Sequence, residues 1–321
     1  MKEFGSYQPF ECIRGQEYYY GEDVVALNCA RNAIVYAIMD ANYERVYIPF
    51  YLCNTVKQTL DKYKIKYKGY HFNNSFEPIN VKLREQEGLL YPNLFGLFPI
   101  HKINRIIDKY HNVIIDNTQA FFSEPNLCVY NVYSCRKFFG VSDGAYVIKQ
   151  GITHRKYPTD FSGRRVSHLF ISMEEGTNAA YMENMKAEEA LSHSGILEMS
   201  LLTHMLLSII DYDSVIEARK RNYDILNACL KKYGFRDCKR SEECVPCKYP
   251  FWYEYKGARE ILLSNRIYVP QWWNDLEETN EFERNMSKWL MPLPIDQRYT
   301  ESEMEQMADR MIEGFYKNGI L

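Results

Sequence analysis

The sequence holds no apolar run that approaches the roughly 18 residues a membrane span requires, and its first fifteen residues, MKEFGSYQPFECIRG, lack the apolar core of a signal peptide. Both absences point to a cytoplasmic protein that does not enter a membrane. No block of lysine and arginine runs along the chain, and 39 basic against 42 acidic residues leave a formal net charge of -3. There is thus no electrostatic footprint for nucleic acid. The low hydrophobic content of a disordered chain is also missing, since 46% hydrophobic and 25% charged residues are ordinary for a globular protein. Nine cysteines, an odd number scattered over 321 residues, fit reduced thiols better than a disulfide framework. Cys244 and Cys247 form a C-x-x-C with Cys238 nearby, but no second paired motif supplies the remaining ligands of a zinc site, and no metal is expected.

What is present alternates, over a length that allows about two domains. Val24 to Leu27 reads as a buried strand and leads into a helix with Ala30, Ile34, Ala37, Ile38 and Ala41 at helical spacing. Val46 to Ile48 is a second strand, Val56, Leu60 and Tyr63 mark a helix, and Ile65 to Tyr70 is a third strand. Tyr91 to Gly96 reads as a loop, followed by a helix with Ile103, Ile106, Ile107 and Tyr110 on one face. Short apolar runs alternating with helical patterns imply βαβ units and a mainly parallel sheet. Residues 150–170 are polar and basic without clear periodicity and read as a mobile loop near a cleft; Arg155, Arg164 and Arg165 either meet substrate phosphates there or stand in solvent. Asn178 to Ile210 reads as one long helical region and Val215 to Tyr233 as another helix, and a final helix follows Thr300. The 27 tyrosines suit a polar cleft or a subunit interface, and equally suit half-buried packing.

Chemistry concentrates at strand ends. Val113 to Ile115 leads to Asp116, with Gln119 three residues on. Val129 to Tyr133 and Ala145 to Ile148 flank a connection that carries Ser134, Arg136 and Lys137 and then the turn residues Asp143 and Gly144. In open α/β sheets ligands collect at the carboxyl ends of strands, so Asp116 and Lys137 are expected to face one cleft. A lysine ordinarily lies on a solvated face; one just past a strand, beside a hydroxyl and an arginine, can instead be held partly desolvated as an amine nucleophile. A carboxylate facing a lysine suits pyridoxal phosphate, whose ring nitrogen takes an acidic partner and whose aldehyde takes an amine. The start of the first helix, with the backbone N–H groups of Ala30, Arg31 and Asn32, is either a phosphate cradle or an ordinary strand-to-helix turn.

The order Asp116-x-x-Gln119, Ser134-x-Arg136-Lys137 and Asp143-Gly144-Ala145 resembles the DegT/StrS-type aminotransferases, pyridoxal phosphate enzymes of fold type I that mostly aminate keto sugars on nucleotide carriers. EFGSYQPFE at 3–11, the stretch Leu27 to Ala33, and LPIDQRYTESEM at 293–304 resemble that family's opening segment, phosphate-binding turn and closing segment. The resemblance implies an α/β fold: a three-layer αβα large domain with a mainly parallel sheet over residues 1–212, and a small α+β C-terminal domain over 213–321. It implies that Lys137 binds the cofactor covalently and then acts as base and acid, while Asp116 keeps the ring nitrogen protonated. Gln119 would lie near the ring and its phenolic oxygen. Ser134 would hydrogen-bond the phosphate with Arg136 close by, the alternatives being a strand-end cap and a surface ion pair. Either Cys53 or Tyr51 covers the ring. Asn93 lies on the substrate side or merely forms a turn, and Trp272 and Trp273 form a pocket wall or pack in the core. The implied partners are small molecules, an amino donor (Glu or Gln) and a nucleotide-linked keto sugar for surface polysaccharide synthesis, taken up by a homodimer. The chain departs from the family at Ala30, where glycine is usual, at Cys53, where an aromatic is common, and at Gly176-Thr177-Asn178, which replaces a longer segment that reaches the partner's cofactor. These departures keep two other readings open: a dehydratase or lyase on the same fold, and a catalytically silent binding or regulatory protein.

Overall fold

The computed structural model describes residues 8, 10–12, 15–235, 237–276 and 278–321, so most of the segment compared above with an opening segment lies outside the described residues. The chain starts as the alternation predicts: β1 (Val24–Leu27), α1 (Ala30–Asp40), β2 (Arg45–Pro49), α2 (Asn54–Lys62), β3 (Lys66–Tyr70), β4 (Glu87–Pro92), α3 (Ile100–Tyr110), β5 (Val113–Asn117), β6 (Tyr130–Ser134) and β7 (Ala145–Ile148). These strands form one seven-stranded sheet in the order β1-β7-β6-β5-β4-β2-β3. β7 runs antiparallel to both its neighbours and the rest are parallel.

Parallel strands covered on both faces carry apolar residues at every position, with alternate side chains entering different cores. Leu90, Ile114, Val132 and Val147 pack with α1 and α2 on one face. Leu89, Tyr91, Val113 and Ile115 pack against the apolar stripe of α3 on the other, which is where Ile103, Ile106 and Ile107 go. Tyr133 and Tyr146 turn to that second face as well and meet Phe121, Phe138, Leu207 and Val215. The result is three layers, helices on either side of a mostly parallel sheet.

Beyond β7 come α4 (Ser167–Glu174), α5 (Tyr181–His193), α6 (Leu201–Ser208) and α7 (Tyr212–Lys232), then β8 (Tyr249–Trp252), α8 (Ala258–Ser264), α9 (Glu281–Trp289), β9 (Leu290–Leu293) and α10 (Glu301–Lys317). β8 and β9 pair antiparallel, and with α7, α8 and α10 they enclose a separate core built on Tyr223, Leu226, Phe251, Leu262, Met304 and Phe315.

Four expectations need correction. The long helix read over Asn178 to Ile210 is two helices, because Ser194 and Gly195 leave helical geometry: the Gly195 carbonyl accepts from the side chains of Asn28 and Asn32. The stretch read as an unstructured basic loop contains the start of α4, and Arg165 in it is paired with Asp160 at 2.6 Å. Tyr91 and Pro92, read as loop, are the last residues of β4, where Pro92 sits opposite Asp116 in the register. Asp116, expected just beyond its strand, is the fourth residue of β5. No described helix is long and apolar enough to cross a membrane.

Candidate active site

β5 and β6 are parallel neighbours, with Asp116 opposite Val132 and Asn117 opposite Tyr133, so their carboxyl ends reach the same edge of the sheet. Beyond β6 the chain makes one 3-10 turn, Cys135–Lys137. The turn is closed by the amide of Cys135, which donates to the carbonyl of Gly144 at 3.1 Å. Gly144 has φ +116°, a left-handed conformation that glycine adopts without strain, and its amide donates to the Asn28 carbonyl at 2.6 Å. Asp143, fully buried beside it, accepts from the amide and the hydroxyl of Ser200, each at 2.8 Å, and from the hydroxyl of Thr203. The turn that bears Lys137 is therefore fastened to β1 and to α6.

Asp116 and Lys137 line one cavity of about 270 Å³. Thr118, which sequence reasoning passed over, joins them: its amide donates to Oδ1 of Asp116 at 3.0 Å and its hydroxyl accepts from Nζ of Lys137 at 3.4 Å. Asp116 is 5% exposed. Lys137 is exposed, contrary to the partial desolvation expected of it, because the turn lifts its side chain off the sheet into the open cleft.

The same cavity takes in the start of α1. Cys29 precedes the helix in an extended conformation, and the first intrahelical bond is made by the amide of Ala33 to the Cys29 carbonyl. The amides of Ala30, Arg31 and Asn32 thus have no carbonyl within the helix to bond. Ala30, Arg31 and Ser134 line the cavity, and Nη2 of Arg31 is buried without a partner. The Asn32 side chain is committed elsewhere, to Asn28 Oδ1 at 3.0 Å and the Gly195 carbonyl at 2.6 Å, so Asn32 has only its backbone to offer. Arg136 lines the cavity with its guanidinium in an ion pair with Glu188 of α5, a partner that only the fold could reveal.

Cys53 lines the cavity, and its thiol lies 3.1 Å from the Thr55 hydroxyl. Tyr51 is fully buried behind it, edge-on to Trp273 with ring centroids 4.5 Å apart, and its hydroxyl has no partner. Gln119 lines the cavity; its Oε1 accepts from the Phe95 amide at 2.8 Å, which leaves Nε2 for other contacts. That bond holds Phe95 at φ +62°, a conformation that costs a residue with a Cβ of order 1 kcal/mol. Asn93 is 1% exposed and lines the cavity, donating to Asn117 Oδ1 at 3.0 Å while its own Oδ1 has no partner. Trp273 lines the cavity, and Trp272, stacked on Phe95 at 5.2 Å, borders an adjoining one. Arg155 bonds the Met39 carbonyl, Arg165 is paired with Asp160, and Arg164 lies by Phe161; none of the three lines the cavity.

Free helix amides, a serine hydroxyl and an arginine with an orphaned nitrogen form a donor set for an anion such as phosphate. A carboxylate and a free amine in the same cavity fit a ring nitrogen and an aldehyde. The donor set therefore suits a phosphorylated heteroaromatic aldehyde. No group of three or more His, Cys, Asp or Glu suited to a metal occurs among the described residues, and Cys244 and Cys247 are buried free thiols.

No protein-family model and no curated protein matches the chain. Solved structures do. The chain superposes on the sugar aminotransferase CalS13 from Micromonospora echinospora with a TM-score of 0.65 at 12% identity, covering 91% of this chain and 87% of that one. It superposes on a DegT DnrJ EryC1 StrS aminotransferase from Brucella abortus with a TM-score of 0.61 at 12% identity, over 91% and 86% of the two chains. For Spr1654 from Streptococcus pneumoniae, described as a sugar aminotransferase in its PMP form, the TM-score is 0.63 at 11% identity, over 93% and 88%. The fold is that of the sugar aminotransferases. Within this sugar-aminotransferase fold the carboxyl edge of the sheet is where Asp116, Ser134 and Lys137 stand.

Proposed function

We propose that the protein is a pyridoxal phosphate-dependent aminotransferase that moves an amino group from an amino acid donor, Glu or Gln, to the carbonyl of a keto sugar, nucleotide-linked and destined for a surface polysaccharide. The observation that carries the proposal is that Lys137 and Asp116 share one cavity, linked through Thr118, with the free amides of α1 at its other end. The description of neighbours as sugar aminotransferases, and a further superposed structure, DesI, solved in the presence of its TDP-sugar product (TM-score 0.62, 11% identity), support the choice of acceptor.

When bound, pyridoxal phosphate supplies an electron sink for a substrate carbon that has lost a proton. The α1 amides, Ser134 and Arg31 would hold its phosphate, and Asp116 would keep a proton on its ring nitrogen. Lys137 would provide the attaching amine. With its Nζ free in the cavity, Lys137 would be placed to take a proton from the donor's α-carbon and to give one back, so that a single residue would serve as base and acid. Cys53 and Trp273 line the same cavity. We further propose a cytoplasmic homodimer, with a large cofactor domain over 1–212 and a small domain over 213–321.

Purified protein supplied with cofactor should show a visible absorption band that borohydride abolishes, and peptide mass spectrometry should then find the label on Lys137. A colourless protein, or a label on another lysine, overturns the reading. Light scattering at micromolar concentration tests the dimer.

A further inference from the structure

On the side of Lys137 away from α1 lies the adjoining cavity, about 650 Å³, which shares Gln119, Lys137 and Trp273 with the first. Its farther wall comes from the C-terminal part of the chain. Tyr249 at the start of β8 pairs with Leu293 at the end of β9, and this register brings Lys248 to the same end of the ribbon as Asp296, Gln297 and Arg298.

The charges in this wall do not balance. Arg298 is occupied, its Nε and Nη2 donating to Asp296 at 2.6 and 3.0 Å. Arg136 is paired with Glu188. Arg219, 1% exposed, lies over the Phe138 ring at 4.4 Å and donates to the carbonyls of Phe138, Pro246 and Cys247, none of which carries charge. Its Nε is buried with no partner at all. Lys248 has no carboxylate within ion-pair distance among the described residues. Burial, reinforced by the neighbouring Arg219 and Arg298 against the pull of Asp296, pushes its amine below the usual lysine value. Gln297 donates through Nε2 to the Phe138 carbonyl at 2.8 Å and keeps a buried Oε1 that accepts from nothing. A half-buried ammonium that lines a cavity with no counter-charge in ion-pair distance is matched by an anion.

We propose that this cavity is the subsite for a carboxylate carried by the reacting substrate, with Lys248 as its ionic partner, Nε of Arg219 as a second donor and Oε1 of Gln297 as acceptor for an adjacent hydroxyl or ammonium. The inference rests on the aminotransferase reading for its link to Lys137 and deepens it: the substrate class is acids. The phosphate-type donor set stands at the opposite end of the cleft, at α1, and on this wall the ammonium of Lys248, with no carboxylate in ion-pair distance among the described residues, matches a carboxylate.

The test is calorimetric titration of the cofactor-free protein with glutarate and, separately, with inorganic phosphate. Glutarate is expected to bind saturably, and Lys248→Met, which keeps the length and removes the charge, should weaken it about 30-fold or more, as loss of one partner of a buried charge pair does. Lys248→Arg should restore binding to near the wild-type level, and Lys248→Gln repeats the test should the methionine variant fail to fold. Borohydride labelling at Lys137 is followed in each variant. Glutarate binding that depends on Lys248 in a protein whose Lys137 takes no label would sink the aminotransferase reading and leave the carboxylate site standing. Failure of glutarate to saturate, wild-type affinity for glutarate in the Lys248→Met and Lys248→Gln variants, or phosphate binding that Lys248→Met weakens as strongly as it weakens glutarate binding overturns the inference.

Discussion

The hydroxyl of Thr118 accepts from Nζ of Lys137 at 3.4 Å, and so the residue that steadies the amine is the one whose amide already holds Asp116. Thr118→Val separates the two roles, since the backbone contact to Asp116 survives and the hydroxyl does not. Label at Lys137 should persist, while the rate at which an amino donor bleaches the visible band should fall about 3- to 10-fold, the value of one neutral hydrogen bond. Thr118→Ser should recover it. An unchanged rate in the valine variant would show the contact to be incidental.

Asp116→Asn keeps an oxygen to accept from the Thr118 amide but loses the charge. The bleaching rate should drop about 10²- to 10³-fold, the scale on which other fixed electrostatic contacts act. The thermal midpoint should hardly move, because shape and hydrogen bonding are preserved. A rate within a factor of a few of wild type would remove Asp116 from its assigned role.

Asp143 does not line the first cavity, yet it receives three hydrogen bonds from Ser200 and Thr203 while fully buried. Asp143→Ala strands those donors, and denaturant unfolding should report a loss of about 3 kcal/mol or more. A loss below about 1 kcal/mol would mean that α6 is fastened by packing alone.

Lys102 on α3 has its amine 3.6 Å from the centre of the Phe98 ring, and burial lowers its pKa to about 8. Free lysine titrates near 10.4. Between those values the unfolded chain binds more protons than the folded one, so stability attributable to this group rises with pH from about 8 upward and its full penalty applies below. Lys102→Met, which retains the apolar stem, should be more stable than wild type at pH 7 by on the order of 1–2 kcal/mol once partial exposure is discounted. The advantage should shrink as pH climbs toward 10. Denaturant midpoints at pH 7 and pH 9.5 decide it; an equal difference at both would exclude titration of Lys102 as the cause.

Local patterns carried much of this fold. The strand over Val24 to Leu27, the helix that follows and the pair of runs around Lys137 could be read because each residue's environment follows from its own spacing. Asp116 and Lys137 could be brought to one cleft because strand ends in parallel sheets share an edge. What escaped was set by residues far apart in sequence. Ser194 and Gly195 interrupt a helical pattern because Asn28 and Asn32, more than 160 positions away, bond the Gly195 carbonyl. Glu188 could not be matched to Arg136 without knowing how α5 packs, nor could Lys248 be placed at the same wall as Asp296 and Arg219 without the register of β8 on β9. Thr118 was overlooked for a different reason: a threonine beside an aspartate has no periodic signature, and its role lies in one amide and one hydroxyl.

The reversal of β7 governs how the reactive amine is held. Because β7 runs against β6, the chain leaves the reactive edge through Lys137 and returns to it at Ala145 within a single short excursion, anchored at both ends in interior strands. The reactive amine therefore stands on a connection held at both ends by the sheet, while the facing wall, the Trp272–Trp273 segment whose second tryptophan sits at φ +54°, belongs to no strand.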